Sequence, residues 1–138
     1  MKHFIIMMGI VLLTSCSFAG DPPAAVKKAF ELKFPTATNV KWGKENATEW
    51  EAEFKMNSTK ASANFSADGT WVETETEIPV SQLPAVVTAA INKKYPGTEI
   101  VGADKIETAK KGTMYEADIK TGGKKKEVIL TADGIFIK

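Results

Sequence analysis

The chain states one pattern twice. Pro23-Ala24-Ala25-Val26-Lys27-Lys28-Ala29-Phe30-Glu31-Leu32-Lys33-Phe34-Pro35 is answered by Pro84-Ala85-Val86-Val87-Thr88-Ala89-Ala90-Ile91-Asn92-Lys93-Lys94-Tyr95-Pro96, an offset of 61 that holds as far as Val40 and Val101. Beyond them the offset is 65. Trp50-Glu51-Ala52-Glu53-Phe54 then answers Tyr115-Glu116-Ala117-Asp118-Ile119, and Ala67-Asp68-Gly69-Thr70-Trp71 answers Ala132-Asp133-Gly134-Ile135-Phe136. A repeat of this length means two copies of one supersecondary unit, so the architecture is read per copy. A unit of about 60 residues buries only about 60% of its unfolded surface, so the copies must lean on each other.

Each copy reads as a helix followed by strands. In the first, Asp21 is the N-cap candidate, and Val26, Ala29, Phe30 and Phe34 share one helical face until Pro35 stops the segment. In the second, Ser81 is the cap candidate, and Leu83, Val87, Ala90, Ile91 and Tyr95 form the stripe that ends at Pro96. Val40 and Trp42 mark a first strand. Trp50, Ala52, Phe54 and Met56 alternate with Glu49, Glu51, Glu53 and Lys55, the period of a half-buried antiparallel strand. Asn57-Ser58 and Asp68-Gly69 then read as hairpin turns, with a fourth strand running from Thr70 to Ile78. The second copy repeats this with turns at Thr121-Gly122-Gly123 and Asp133-Gly134, and a last strand from Ile135 to Lys138. The expected fold class is α+β: two tandem units, residues 20–80 and 81–138, each a helix packed on a four-stranded antiparallel sheet. Residues 73–82 join the units, and the strand Glu73 to Ile78 is placed to bridge both sheets.

Residues 1–19 read as an export signal. Lys2 and His3 precede an apolar core, Phe4 to Leu13, too short to span a bilayer. Leu13-Thr14-Ser15-Cys16 has the form of a bacterial lipobox, which would put a lipid on Cys16; Ser17-Phe18-Ala19 alternatively permits secretory cleavage after Ala19. The only histidine, His3, and the only cysteine, Cys16, both fall in this segment. The body of the chain thus has no thiol nucleophile, no imidazole base and none of the usual zinc or copper ligands. Its basic residues are all lysine, which removes bidentate arginine clamps on phosphate. Without Lys2, 17 lysines face 17 acidic residues, so no basic excess points to nucleic acid or to an anionic membrane.

Pro-Ala-x-Val-x-x-Ala-Phe-x-x-Lys-Phe-Pro, Val-x-Trp, Trp-Glu-Ala-x-Phe and Ala-Asp-Gly-x-Trp-Val-Glu-Thr-Glu together resemble the PepSY-like, β-lactamase-inhibitor-like family of exported bacterial proteins. The resemblance covers residues 21–138. It implies tandem α+β units arranged as in a β-lactamase-inhibitor protein and a binding or inhibitory role outside the cytoplasm. It implies no catalytic residue and no cofactor.

Among individual residues, Trp42 and Trp50 fall in phase with the core. Trp71 shares its strand with Glu73, Glu75 and Glu77, and Phe136 is its repeat partner. If Val72 and Ile137 point at the helices, Trp71, Phe136 and Ile129 stand on the opposite sheet face, with Glu73 and Glu75 as a polar rim around a protein-binding centre. A register slipped by one residue would bury the two aromatics instead. The acidic stripes read as solvated faces, the Asp-Gly pairs as turns rather than calcium loops, and Lys124-Lys125-Lys126 as edge protection. The expectation is a non-enzymatic exported module, without cofactor or metal, that binds an envelope or secreted protein and meets the membrane only through a lipid on Cys16. An outer-membrane assembly accessory and a small-ligand or metal carrier are the alternatives.

Overall fold

The computed structural model describes residues 20–137. The export segment with Cys16 lies outside these residues. Helix α1 (Ala24–Lys33) is followed by β1 (Thr38–Lys44), β2 (Glu49–Met56), β3 (Thr59–Ser66) and β4 (Trp71–Glu77). A 3-10 turn (Val80–Gln82) leads into α2 (Ala85–Lys94), and β5 (Glu99–Thr108), β6 (Gly112–Thr121) and β7 (Lys124–Thr131) complete the order. Among the described residues no helix is long and apolar enough to cross a membrane.

The expected pair of four-stranded sheets is corrected to one seven-stranded antiparallel sheet, in the order β1-β2-β3-β4-β5-β6-β7. The physical reason lies at β4. A unit ending on β4 would leave a row of unpaired N–H and C=O groups. Instead β4 pairs with β5 from Glu73↔Thr108 to Glu77↔Asp104. The joint extends at both ends through Ala109 N–H to the Val72 carbonyl (3.0 Å) and Ile78 N–H to the Ala103 carbonyl (3.0 Å). The expected last strand, Ile135 to Lys138, is reduced to one bridge, Leu130↔Phe136. That bridge is the repeat image of Phe65↔Trp71 in the first unit.

Both helices pack on the same side of this sheet. Val26 and Phe30 of α1 enter a cluster with Trp50, Ala52, Phe54, Ala61, Ala63 and Phe65. Val87 and Ile91 of α2 enter its counterpart with Ala103, Ala117, Ile119, Val128 and Leu130. Fully burying one such side chain contributes about 1.5–3 kcal/mol over leaving it in water. The first core is aromatic: the Phe30 ring lies 5.0 Å from Phe54, 5.1 Å from Trp42 and 6.3 Å from Phe65. At the matching positions the second core is aliphatic, with Ile91, Ile119, Ala103 and Leu130. Phe34 and Tyr95 end their helices in the same way, each N–H donating at 2.8 Å to the carbonyl of Phe30 or Ile91.

The helix starts differ from expectation. Pro23 and Pro84, not Asp21 and Ser81, occupy the N-cap positions, and no side chain caps either helix. Proline fixes the extended entry backbone, and its carbonyl takes the first amides: Val26 N–H at 2.9 Å from Pro23, Val87 N–H at 2.9 Å from Pro84. Asp21 pairs with Lys27 instead, at 3.1 Å.

Candidate binding face

The strand register settles which side chains look away from the helices. In β2 the apolar residues point at α1, so Glu49, Glu51 and Glu53 stand on the other face, opposite Ser66, Asn64 and Ser62 of β3. Glu73 and Glu75 lie opposite Asn64 and Ser62, which puts the β4 glutamates on that same open face. Across the joint, Glu77 opposes Asp104, Asp104 opposes Glu116, and Asp118 opposes both Gly102 and Glu127. Gly102 is where a bulge in β5 brings the chain close to Asp118: a Cβ there would sit 2.9 Å from a carboxylate oxygen. The result is a carpet of carboxylates drawn from both units. The lysines of the face collect at one end, by the β2–β3 and β6–β7 hairpins, where Lys55 opposes Lys60 and Lys120 opposes Lys125; Lys41 of β1 opposes Glu53.

The two halves of the face differ at equivalent positions. Glu45, Glu49 and Asn64 of the first unit correspond to Ile106, Met114 and Ile129 of the second. These three form a separate apolar cluster, 2%, 1% and 2% exposed. The open face therefore carries an apolar centre in its second half, beside carboxylates.

Crowding shows in the electrostatics. Carboxylate oxygens of Glu75, Asp104 and Glu116 lie within 4.8 Å of one another, and so do those of Glu116, Asp118 and Glu127. Burial, then Glu116 and Asp104, push Glu75 up to about 9. Burial, then Glu45 and Glu53, push Glu51 up to about 7. Burial, then Glu77 and Asp118, raise Asp104 to about 6. Glu73 is raised by burial and by Glu49, against the opposing charge of Lys111. Each shift has the sign expected where like charges share a partly desolvated surface. Chemically, this face can hold protons or attract cationic groups. Its oxygen-only donors match the chemistry of hard divalent cations rather than of zinc or copper.

The five residues singled out for a binding face divide between the two sides of the sheet. Glu73, Glu75 and Ile129 lie on the open face, Ile129 inside its apolar cluster. Trp71 and Phe136 do not join them. A register shift between Asn64 and Phe65 sets Trp71 opposite Phe65 and turns its ring toward the helix side, packed against the first core. There its Nε1–H donates to Thr74 Oγ1 at 2.9 Å and Lys33 Nζ stands 3.9 Å from the ring centroid. Phe136 repeats the arrangement under α2, with Lys94 Nζ at 4.0 Å and the Tyr95 ring at 6.1 Å. The placement of Trp71 opposite the helices is thus corrected, and a β-bulge is the cause. Asp104, Glu116 and Asp118, which sequence reading missed, were within reach. Tyr115, Ala117 and Ile119 read as the core side of β6, so the alternating partners had to look outward. The helix side also holds a cleft of about 380 Å³ between α1 and β1, lined by Phe30, Phe34, Trp42 and the Asp21–Lys27 pair.

Comparison with known proteins gives a family and a fold. The family described as "Putative beta-lactamase-inhibitor-like, PepSY-like" matches residues 48–138, from β2 through the whole second unit. A DUF2874 family protein from Bacteroides ovatus shares 25% identity over 86% of this chain and 87% of its own, with a TM-score of 0.74. A BLIP-like protein from Bacteroides fragilis shares 22% over 87% and 86%, with a TM-score of 0.72. A Bacteroides eggerthii protein described as one of the "putative periplasmic proteins" shares 20% over 86% and 88%, with a TM-score of 0.77. No curated protein matches the chain.

Proposed function

The chain belongs to the PepSY-like family, and on that premise we propose that it is an exported, non-enzymatic module that binds another envelope or secreted protein through the sheet face opposite its helices. The observation that carries this reading is the open face itself. Among the described residues both helices and the apolar 3-10 turn region pack on the other side. Strands about 4.8 Å apart make a seven-stranded face about 29 Å wide, and strands of this length run roughly 25 Å. That is on the order of 700 Å², close to the ~800 Å² per partner of a stable protein interface. The BLIP-like and periplasmic descriptions of the relatives agree with a binding role outside the cytoplasm. The export signal points the same way, and His3 and Cys16 lie within it, leaving the body without imidazole or thiol.

Affinity capture from envelope extract with residues 21–138 tests the docking reading, comparing the unaltered protein with a variant in which Ser62 and Asn64 at the middle of the open face become arginine. One captured protein, lost with that variant and kept when Leu32 on α1 is changed instead, supports it. Capture that survives the open-face change but fails with Leu32→Arg overturns it. The lipid anchor on Cys16 belongs to the same proposal. Cys16→Ser should move the protein from the membrane fraction to the soluble periplasm, and a wild-type protein already soluble with Gly20 as its N-terminus overturns that part.

A further inference from the structure

We propose that the open face takes a cationic, lysine- or arginine-bearing segment of the partner, laid along Glu51, Glu73, Glu75 and Asp104 in the middle of the sheet. This rests on the docking reading and adds the chemistry of what docks. Charge complementarity carries it. The central strands β4 and β5 contribute Glu73, Glu75, Glu77 and Asp104 to the face, while the lysines of the face stand at one end or on the outer strand. The helix side is not built this way: there Lys105 and Glu107 pair at 3.0 Å, and Lys27 pairs with Asp21. The chain as a whole is nearly neutral, with 18 basic and 17 acidic residues. The acidity of the face is therefore a matter of sorting by strand register, not of composition.

Sorting like charges onto one face costs stability, because each carboxylate raises the cost of ionising its neighbours. Glu75 is faced by Glu116, Asp104, Glu73 and Glu51; Glu51 by Glu45, Glu53 and Glu73; Asp104 by Glu77, Asp118 and Glu127. Glu73 is faced by Glu49 and Glu45, with Lys111 as the opposing charge. A cation brought into this row supplies the missing opposite charge, favours the ionised forms and drives protons off. Docking is then coupled to proton release. The apolar cluster of Ile106, Met114 and Ile129 beside the row gives the segment's aliphatic stems a surface to lie against.

The test uses a decapeptide of alternating lysine and serine as probe, with the glutamate–serine decapeptide as opposite-charge control. Titration calorimetry is run at pH 8 and low salt in EDTA, in two buffers of different ionisation enthalpy. The lysine peptide should bind with net proton release, weaken with added salt, and lose roughly tenfold or more in affinity in the Glu51→Gln, Glu73→Gln, Asp104→Asn variant. The charge-matched control variant Glu31→Gln, Glu99→Gln, Glu107→Gln should bind as the unaltered protein does. Equal loss in both variants means general charge attraction and overturns the proposal, as does absence of binding by the lysine peptide. If the peptide fails while envelope capture still depends on the Ser62 and Asn64 face, the cationic segment is wrong and the docking face stands.

Discussion

Gly69 and Gly134 hold the same place in the two units, and their surroundings explain why an Asp-Gly pair recurs there. Both have left-handed backbone, φ +90° and +80°, and a Cβ would lie 2.7 Å from the Ala25 carbonyl oxygen or 2.9 Å from that of Val86. The turn is pressed under the first turn of each helix, so glycine is required by both conformation and contact. Gly69→Ala or Gly134→Ala should each destabilise the fold by about 1–3 kcal/mol, read as a lower denaturant midpoint at unchanged slope. Trp71 is the second residue whose environment decides a prediction. It is half-buried on the helix side, hydrogen-bonded to Thr74 and covered by Lys33. Trp71→Ala should therefore lower the thermal midpoint, at a cost somewhat below the ~3–5 kcal/mol of truncating a fully buried aromatic. Trp71→Phe should recover most of the loss. An unchanged midpoint in the alanine variant would return Trp71 to the role of surface anchor.

At the scale of elements, most of the fold was legible because each signal was local. Proline stops after Phe34 and Tyr95, the alternation from Trp50 to Met56, and the Asn57-Ser58 and Gly122-Gly123 turns all act within a few residues, and each lies where it was expected. What sequence reading missed depends on contacts distant along the chain. The joining of β4 to β5 follows from the unpaired edge each unit would otherwise expose, and nothing inside one unit announces it. The face of Trp71 turns on a single bulge, invisible to a period-two reading that slips by one residue. The acidic site was half legible: Glu73 and Glu75 were seen as a stripe, but their meeting with Asp104 and Glu116 needed the joint. The joint also makes a prediction. Thr76 sits mid-strand in β4, opposite Ala61 on one side and Lys105 on the other. Proline there would remove a ladder donor and obstruct pairing in the centre of the sheet. Thr76→Pro should destabilise both units together, so that tryptophan fluorescence, which reports the first unit, and circular dichroism shift to the same lower midpoint.

Over the whole molecule, two helices on one side and carboxylates on the other make stability depend on pH in a defined direction. Asp104, Glu51 and Glu75 have folded values raised to about 6, 7 and 9, against 3.8 for a free aspartate and 4.5 for a free glutamate. A raised carboxylate binds its proton more tightly in the folded state, so its stabilisation is complete below the unfolded value and is lost as pH rises through the folded one. Three such groups on one face set a window from about pH 4 to about 9 across which the folded state weakens. Asp68 acts the opposite way at the acid end: the Thr70 amide, 2.9 Å from its Oδ1, lowers its value, so its contribution is lost on acidification. The thermal midpoint should thus be highest in mildly acidic buffer and fall toward pH 9. Glu75→Gln separates this account from general charge effects. The amide keeps the shape of the protonated carboxyl but cannot ionise, so the variant should match the unaltered protein near pH 5 and exceed it near pH 9. Saturation with the lysine peptide should flatten the same profile from the other side, by stabilising the ionised face. A midpoint that rises from pH 5 to pH 9, or an equal gain for Glu75→Gln at every pH, would mean that the carboxylates of the open face are not coupled as the strand register places them.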